Sequence, residues 1–428
     1  MNADVLIIGA GAAGLMAARE LAKKGKKIIV LEAQNRIGGR IHTVYENGKP
    51  VELGAEFVHG NLPVTLALLH EAGILYTSAS ASTWKYDEGK FTNNEWFIDH
   101  WDLFIDKLSQ LEQDTSIDDF IESQFPEDKY RELRRSVRQY VSGYDTANPK
   151  KASSFALRNE WQHEDEGAQH RVEGGYIKLL NYLANECESN GGEVKLNSVV
   201  KDIYWEPEKV SATTADGVTY HAEKIIIAIP LGMLQIETDK EGKITFHPPV
   251  KEQQEAIMQM GFGSVIKILI EFDEAFWENE SVGEGKSLKD MGYLLSQEET
   301  PTWWTQYPEQ STLFTGWIGG PDAWARKDAT DDEILKQALQ SIANIFKLDI
   351  NELQNRIKSW HIINWTTRSF THGSYAYDTV EAPEARKTLN TPVNETLFFA
   401  GEYLYEGAAM GTVEAALTSG RDVAARIK

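Results

Sequence analysis

Three glycines, Gly9, Gly11 and Gly14, form G-x-G-x-x-G directly after a short apolar run, Val5 to Ile8. A helical stretch over residues 15–24 follows, stopped by Gly25, and a second apolar run over residues 27–31 ends in Glu32. In this order each residue type has a chemical reason. The first glycine permits a tight turn, the second lets backbone amides approach a pyrophosphate, and the third lets helix and strand pack closely. Ala13 falls in the first helical turn, where free N–H groups and the dipole favour an anion. Glu32 stands at the distance from which an acid accepts bonds from ribose hydroxyls. The bland alternative is a glycine-rich turn in an unrelated α/β protein, which the ordered context disfavours. The motif by itself does not separate a nicotinamide dinucleotide from a flavin one.

A second chemical position is Lys267. It interrupts an apolar strand, Val265 to Phe272, with an apolar face at Ile266, Ile268, Ile270 and Phe272. A lysine in a desolvated pocket can shed its proton and then handle protons and water. The competing reading is an outward lysine on a half-exposed strand, and pattern alone favours it.

The elements that must position these residues are spread along the chain. Helical segments are expected to dominate residues 62–139, with Trp101, Leu103, Phe104, Leu108 and Leu111 spaced for a buried face. A helix over 177–188 leads to short strands at 193–196, 199–205, 209–214 and 225–229. Thr330 and Glu333 form a capping box for a helix to Phe346 that buries Leu335, Leu339 and Ile342. A last buried strand, 397–400, precedes a closing helix, 412–427. Nucleotide-type elements thus lie at both ends and in the middle, with insertions between them.

The residues after the first motif carry a family likeness. Glu32-Ala33-Gln34-Asn35-Arg36-Ile37-Gly38-Gly39-Arg40 resembles the E-A-x-x-R-x-G-G-R stretch of FAD-dependent amine oxidases of the monoamine/polyamine oxidase superfamily. Gly38 and Gly39 give a bend with close backbone approach, and Arg36 and Arg40 offer donors for pyrophosphate oxygens. Gln34 stands where many relatives carry arginine. The likeness runs along nearly the whole chain. Gly54-Ala55-Glu56 through Gly60 is similar to the loop that crosses the flavin face, with His59 where polyamine oxidases hold a polar residue toward the amine. Arg171-Val172-Glu173-Gly174-Gly175 resembles the turn that re-enters the FAD domain, and Val200 sits where relatives hold the adenine. Lys267 matches the lysine that holds a water against flavin N5. Trp365, then Gly373-Ser374-Tyr375, resembles the segment closing one side of the flavin. Ser374 replaces the cysteine that monoamine oxidases attach to the flavin, and the single cysteine, Cys187, lies elsewhere, which implies noncovalent FAD. Tyr375 matches one wall of an aromatic cage, and Thr412 stands where a second cage tyrosine would be, so the cage is wider. Phe398 to Glu402 resembles F-A-G-E, with Gly401 and Glu402 at the ribityl chain. Thr412 and Val413 open a helix aimed at flavin N1/O2.

The resemblance implies an α/β fold: a Rossmann-type FAD-binding domain, GR2-like, over residues 1–76, 168–250 and 385–428. An interleaved α+β substrate-binding domain would take 77–167 as its helical part and 251–384 as its sheet part. It implies oxidation of an amine by hydride transfer to flavin N5, imine hydrolysis to an aldehyde, and return of the electrons to O2 as hydrogen peroxide. The catalytic set would be Lys267, Tyr375, His59, Thr412 and Trp365, and the width of the cage favours a polyamine or secondary amine. The alternatives are a monoamine or L-amino-acid oxidase, an FAD desaturase or porphyrinogen-type oxidase, and a flavin-binding interaction protein without turnover. An L-amino-acid oxidase would need an arginine for the substrate carboxylate.

Composition narrows the classes. The 428 residues carry a formal net charge of -22, which argues against nucleic-acid binding through phosphates. An acidic field attracts cations, although many soluble enzymes are acidic for solubility alone. One cysteine excludes an internal disulfide and fits a reducing, cytoplasmic setting. No apolar run reaches the roughly 20 residues needed to span a bilayer. No metal-ligand spacing and no Ser/His/Asp motif is present.

Overall fold

The computed structural model describes residues 2–93, 98–163, 169–236, 240–281, 283 and 285–428. The fully buried strands Val5–Ile8 and Ile28–Leu31 pair in parallel, as strands apolar on both faces do. They form the centre of a five-stranded parallel sheet with Glu193–Lys195 at one edge, then Lys224–Ile227 and Leu397–Phe399 at the other. The helix Ala12–Lys23 packs on this sheet and against the helix Val413–Arg426. Their crossing is close because Gly420 has no side chain: a Cβ there would lie 2.2 Å from the Ala13 carbonyl oxygen. Strands from the beginning, middle and end of the chain therefore build one nucleotide-type layer, the α/β arrangement expected.

A second, seven-stranded sheet runs Ile357–Asn364, Val265–Phe272, Leu313–Gly319, Thr302–Trp304, Met291–Leu295, Ser82–Asp87 and Lys90–Thr92. Ile266, Ile268, Ile270 and Phe272 face a core shared with the helix Asp331–Phe346, whose expected capping box at Thr330 and Glu333 is formed. The opposite face, Val265 and Leu269, packs on Val51, Leu53, Ile363 and Trp365. Lys267 lies on that second face and is 1% exposed, so the outward-lysine reading is overturned.

Three expectations need correction. Residues 76–92 are not helical: Tyr76–Ser78, Ser82–Asp87 and Lys90–Thr92 are strands, and the last two extend the seven-stranded sheet. Leu103 points outward, at 38% exposure, while Phe104 and Leu108 of its helix, Trp101–Ser109, are buried. Leu335 is half-buried rather than buried. The helical layer of residues 101–163 closes over the sheet around Phe120, Phe125, Val137 and Val141. Residues 94–97, within the segment read as mainly helical, lie outside the described residues. Among the described residues, no helix is long and apolar enough to cross a membrane.

Candidate active site

A cavity of about 2610 Å³ runs from the glycine turn to the face of the seven-stranded sheet. It brings together all the site residues expected from sequence except Gly14 and Arg36.

At one end lie Gly9, Gly11, Ala13, Glu32, Ala33 and Val200. Gly9 turns the chain with φ +104°, a conformation side chains resist. Gly11 leaves the helix N-terminus bare: no side chain caps it, and a Cβ there would meet nothing nearer than Gly38 O at 4.0 Å. A cradle of this kind, open to backbone amides and free of acid in the first turn, fits a pyrophosphate. Glu32 accepts from Ala10 N at 2.8 Å and Gln34 N at 2.9 Å, one bond on each oxygen. The carboxylate is thereby oriented, with lone pairs left for hydroxyl donors. Burial nevertheless raises its pKa above the ordinary value, against the pull of those amide bonds. Gly14 sits behind, buried in the helix where a Cβ would strike Gly9 O.

Gly38, Gly39 and Arg40 form the next wall. Arg40 donates to Glu402 Oε1 at 2.7 Å and to the Ser374 carbonyl at 2.8 Å. Glu402 is 2% exposed and also accepts from Ala376 N at 3.3 Å. Arg36 departs from expectation. Its guanidinium donates to the carbonyls of Ile37, Gly39 and Ile41, so it braces the Gly38-Gly39 bend from behind. Three of its bonds go to backbone carbonyls, and it is not among the residues that line the cavity.

At the far end lie Gly54, Ala55, Glu56, His59, Lys267, Trp365 and Tyr375. Lys267 Nζ stands 2.9 Å from Glu56 Oε2 and 3.1 Å from Gly54 O. The lysine is thus the cationic half of a buried ion pair, not the lone amine expected. Burial pushes the Glu56 carboxyl up, but the charges of Lys267 and Arg171, with bonds from Lys267 and Gln306, outweigh it and hold it at about 2. Trp365 is buried and donates to Leu53 O at 3.0 Å. His59 is held below the usual imidazole range by loss of solvent, opposed by Gln169 and by the Glu56 charge. Tyr375 donates its hydroxyl to the Tyr144 carbonyl, fixing the ring as a wall. Ser374 is buried, with Oγ 2.6 Å from Thr146 Oγ1. Cys187 is buried in the helix Ile177–Ser189, away from the cavity lining.

Gly401, Thr412 and Val413 close the cavity beside Tyr375. Thr412 is the N-cap of the last helix: it donates to Ala409 O at 2.6 Å and accepts from Ala415 N at 3.3 Å. Its hydroxyl is committed to the backbone.

Sequence reading missed most of the aromatic wall. Phe57, Tyr293, Trp304, Trp317 and Tyr144 also line the cavity. Phe57 lies 5.9 Å from Tyr293 and 6.0 Å from Trp304, ring to ring. Phe57 belongs to a three-stranded sheet and Tyr293 and Trp304 to the seven-stranded one, so only tertiary packing brings them together. Arg171 was legible as part of a glycine turn, but not as the partner of Glu56.

Comparison with known proteins identifies what the whole chain resembles. The chain is 28% identical to a mouse protein named lysine-specific histone demethylase 1B, over 94% of this chain and 50% of that one. It is 26% identical to polyamine oxidase 2 of Arabidopsis thaliana, over 99% and 88%. The chain spans about half the length of the first of these relatives. Among solved structures it resembles a putrescine oxidase (TM-score 0.82, 20% identity, 100% and 99% coverage) and a cyclohexylamine oxidase from Brevibacterium oxydans (TM-score 0.80, 20%, 100% and 99%). The model of the flavin containing amine oxidoreductases matches residues 12–95 and 79–428. With that match and a cradle that fits FAD, the chain belongs to the flavin containing amine oxidoreductase family.

Proposed function

We propose that this chain oxidises a polyamine or secondary amine, using noncovalently bound FAD and dioxygen. The carrying observation is a buried Lys267, ion-paired to Glu56, at the end of a cavity walled by Phe57, Tyr293, Trp304 and Tyr375. Bound FAD would take two electrons from the carbon–nitrogen unit, leaving an imine for water to hydrolyse, and pass them to O2 as hydrogen peroxide. The residues do the rest. The helix N-terminus at Gly11 and the Glu32 carboxylate hold the dinucleotide. The Arg40–Glu402 pair braces the wall along its length. Aromatic faces receive the amine and exclude water from it. Lys267 offers an N–H to whatever occupies the end of the cavity.

The acidic charge supports a cationic substrate. Asp102, Asp106, Glu160, Glu298 and Asp322 line the outer cavity, against Lys85 and Arg326. A polycation is drawn inward by such a wall. The relatives named polyamine oxidases support the same class. An L-amino-acid oxidase loses support, because the cavity-lining arginines Arg40, Arg326 and Arg386 already serve protein acceptors. A second reading, an N-methylated lysine side chain as the amine, is supported by the cavity's width and by the relatives named histone demethylases. The absence of any cysteine from the cavity lining supports noncovalent FAD.

The test is anaerobic addition of spermine, spermidine, N-acetylated polyamines, benzylamine, L-amino acids and an N-methyllysine peptide, one at a time, while following flavin absorbance. Bleaching by polyamines, reversed by air with peroxide release, is expected. Bleaching by benzylamine or amino acids alone would overturn the substrate class. Bleaching by none would overturn the oxidase.

A further inference from the structure

Glu56 is placed as few carboxylates are. It precedes the strand Phe57–His59 and is 7% exposed. Four donors from three other segments converge on it. Oε2 accepts from Lys267 Nζ at 2.9 Å and Trp304 Nε1 at 3.1 Å. Oε1 accepts from Arg171 Nε at 3.1 Å and Gln306 Nε2 at 3.2 Å. A carboxylate has about four lone-pair sites, so this one is filled. Its side chain has nothing left to accept a substrate proton or a cofactor hydroxyl.

Lys267 is fixed in the complementary way. An ammonium has three N–H donors, and two are placed on Glu56 Oε2 and Gly54 O. The third is left for the cavity. The ammonium also lies 5.3 Å from the Trp304 ring centroid, so the indole that braces Glu56 faces the lysine as well. Arg171 holds the other carboxylate oxygen and is itself anchored to the carbonyls of Thr305 and Tyr307, each at 2.9 Å. Removing one partner of such a buried pair strands the other's charge.

We propose that Glu56 is the positioning residue of Lys267, a filled carboxylate that fixes the lysine's place and charge, with Arg171 as its second anchor. The inference rests on Lys267 acting at the flavin. Glu56 then affects the chemistry only through Lys267. A purely structural Glu56 would act on stability alone, or independently of the lysine.

The experiment uses FAD-loaded wild type, Lys267→Met, Glu56→Gln and the double variant. Each is reduced anaerobically with dithionite, so no amine is involved, and mixed with oxygenated buffer while flavin absorbance is followed. FAD content and thermal midpoint report folding, and a crystal structure of the Glu56→Gln holoenzyme reports the lysine's position. Each single variant is expected to slow reoxidation about tenfold, and the double variant to be no slower than Lys267→Met. In the Glu56→Gln structure Lys267 Nζ should leave hydrogen-bonding reach of Gly54 O. Wild-type reoxidation in Glu56→Gln, or an additional slowing in the double variant, overturns the proposal. Wild-type reoxidation in Lys267→Met overturns it together with the lysine's role, whereas failure of the amine reading shows only in the bleaching assay. If Glu56→Gln does not fold, Arg171→Gln replaces it: slowing in wild type but not in the Lys267→Met background is the expected result, and equal slowing in both overturns the proposal.

Discussion

Glu56 Oε2 and Lys267 Nζ lie 2.9 Å apart although 211 positions separate them in the chain. The pair has a measurable acid signature. The folded Glu56 carboxyl sits at about 2 against an ordinary 4.5. The unfolded chain therefore takes up the proton first as pH falls. The stabilisation is complete above pH 4.5 and is lost as pH drops through 2. The wild-type thermal midpoint should fall over that window, and Glu56→Gln, less stable at neutral pH, should fall less. Parallel acid limbs in the two proteins would exclude this role for the pair.

Gly9 and Gly11 should respond differently to alanine. At Gly9, φ is +104° and a Cβ would lie 2.5 Å from Ala228 O. Gly9→Ala should lower the apoprotein's stability by about 1–3 kcal/mol. At Gly11 a Cβ is unobstructed but enters the cradle. Gly11→Ala should keep the apoprotein's midpoint and weaken FAD affinity about tenfold or more, read by flavin fluorescence titration. Unchanged FAD affinity in Gly11→Ala would remove the cradle from that position.

Thr412→Val keeps the side chain's shape and removes both hydroxyl bonds. Loss of this cap should cost about 1 kcal/mol in urea unfolding. Preference among amines should stay within about twofold, since the hydroxyl is turned to the backbone. A strong change in amine preference would return Thr412 to the substrate wall.

Tyr375→Phe and Tyr375→Ala separate ring from hydroxyl. Phenylalanine keeps the face and should change kcat/KM for the best amine by less than about threefold. Alanine removes the wall and should lower it by at least about tenfold. Equal losses in both would assign the function to the Tyr144 hydrogen bond instead.

Some of this site could be read directly along the chain and some could not. The glycine turn, Glu32 and the Gly38-Gly39 bend are local: their roles depend on neighbours within one βαβ unit, and spacing reveals them. Burial of Lys267 was half legible. Val265, Leu269 and the isoleucines make both faces of that strand apolar, the mark of a strand covered on two sides. The partner was not legible, because Glu56, Trp304, Arg171 and Gln306 come from segments distant in the chain that only tertiary packing brings together. Arg36 misled because an arginine next to glycines serves a ligand or the bend itself equally well, and only the carbonyls of Ile37, Gly39 and Ile41 decide. Residues 82–87 misled because Ser82, Thr83, Lys85 and Asp87 are polar or charged in a strand whose outer face is half exposed.

The Arg40–Glu402 pair, 362 positions apart, has a consequence for how the protein comes into being. The dinucleotide cradle opens near Gly9, but its closing wall is made by Glu402 and the helix from Val413. Contacts of such sequence separation form late, because the intervening loop must be closed first. A chain emerging from the ribosome carries its anion-binding turn from the outset, yet holds no finished pocket until the last strand joins the sheet. During that interval the apolar strands wait unpaired, the period in which large α/β chains aggregate. Cofactor capture then stabilises only the completed chain, and flavin supply during expression sets how much of it survives.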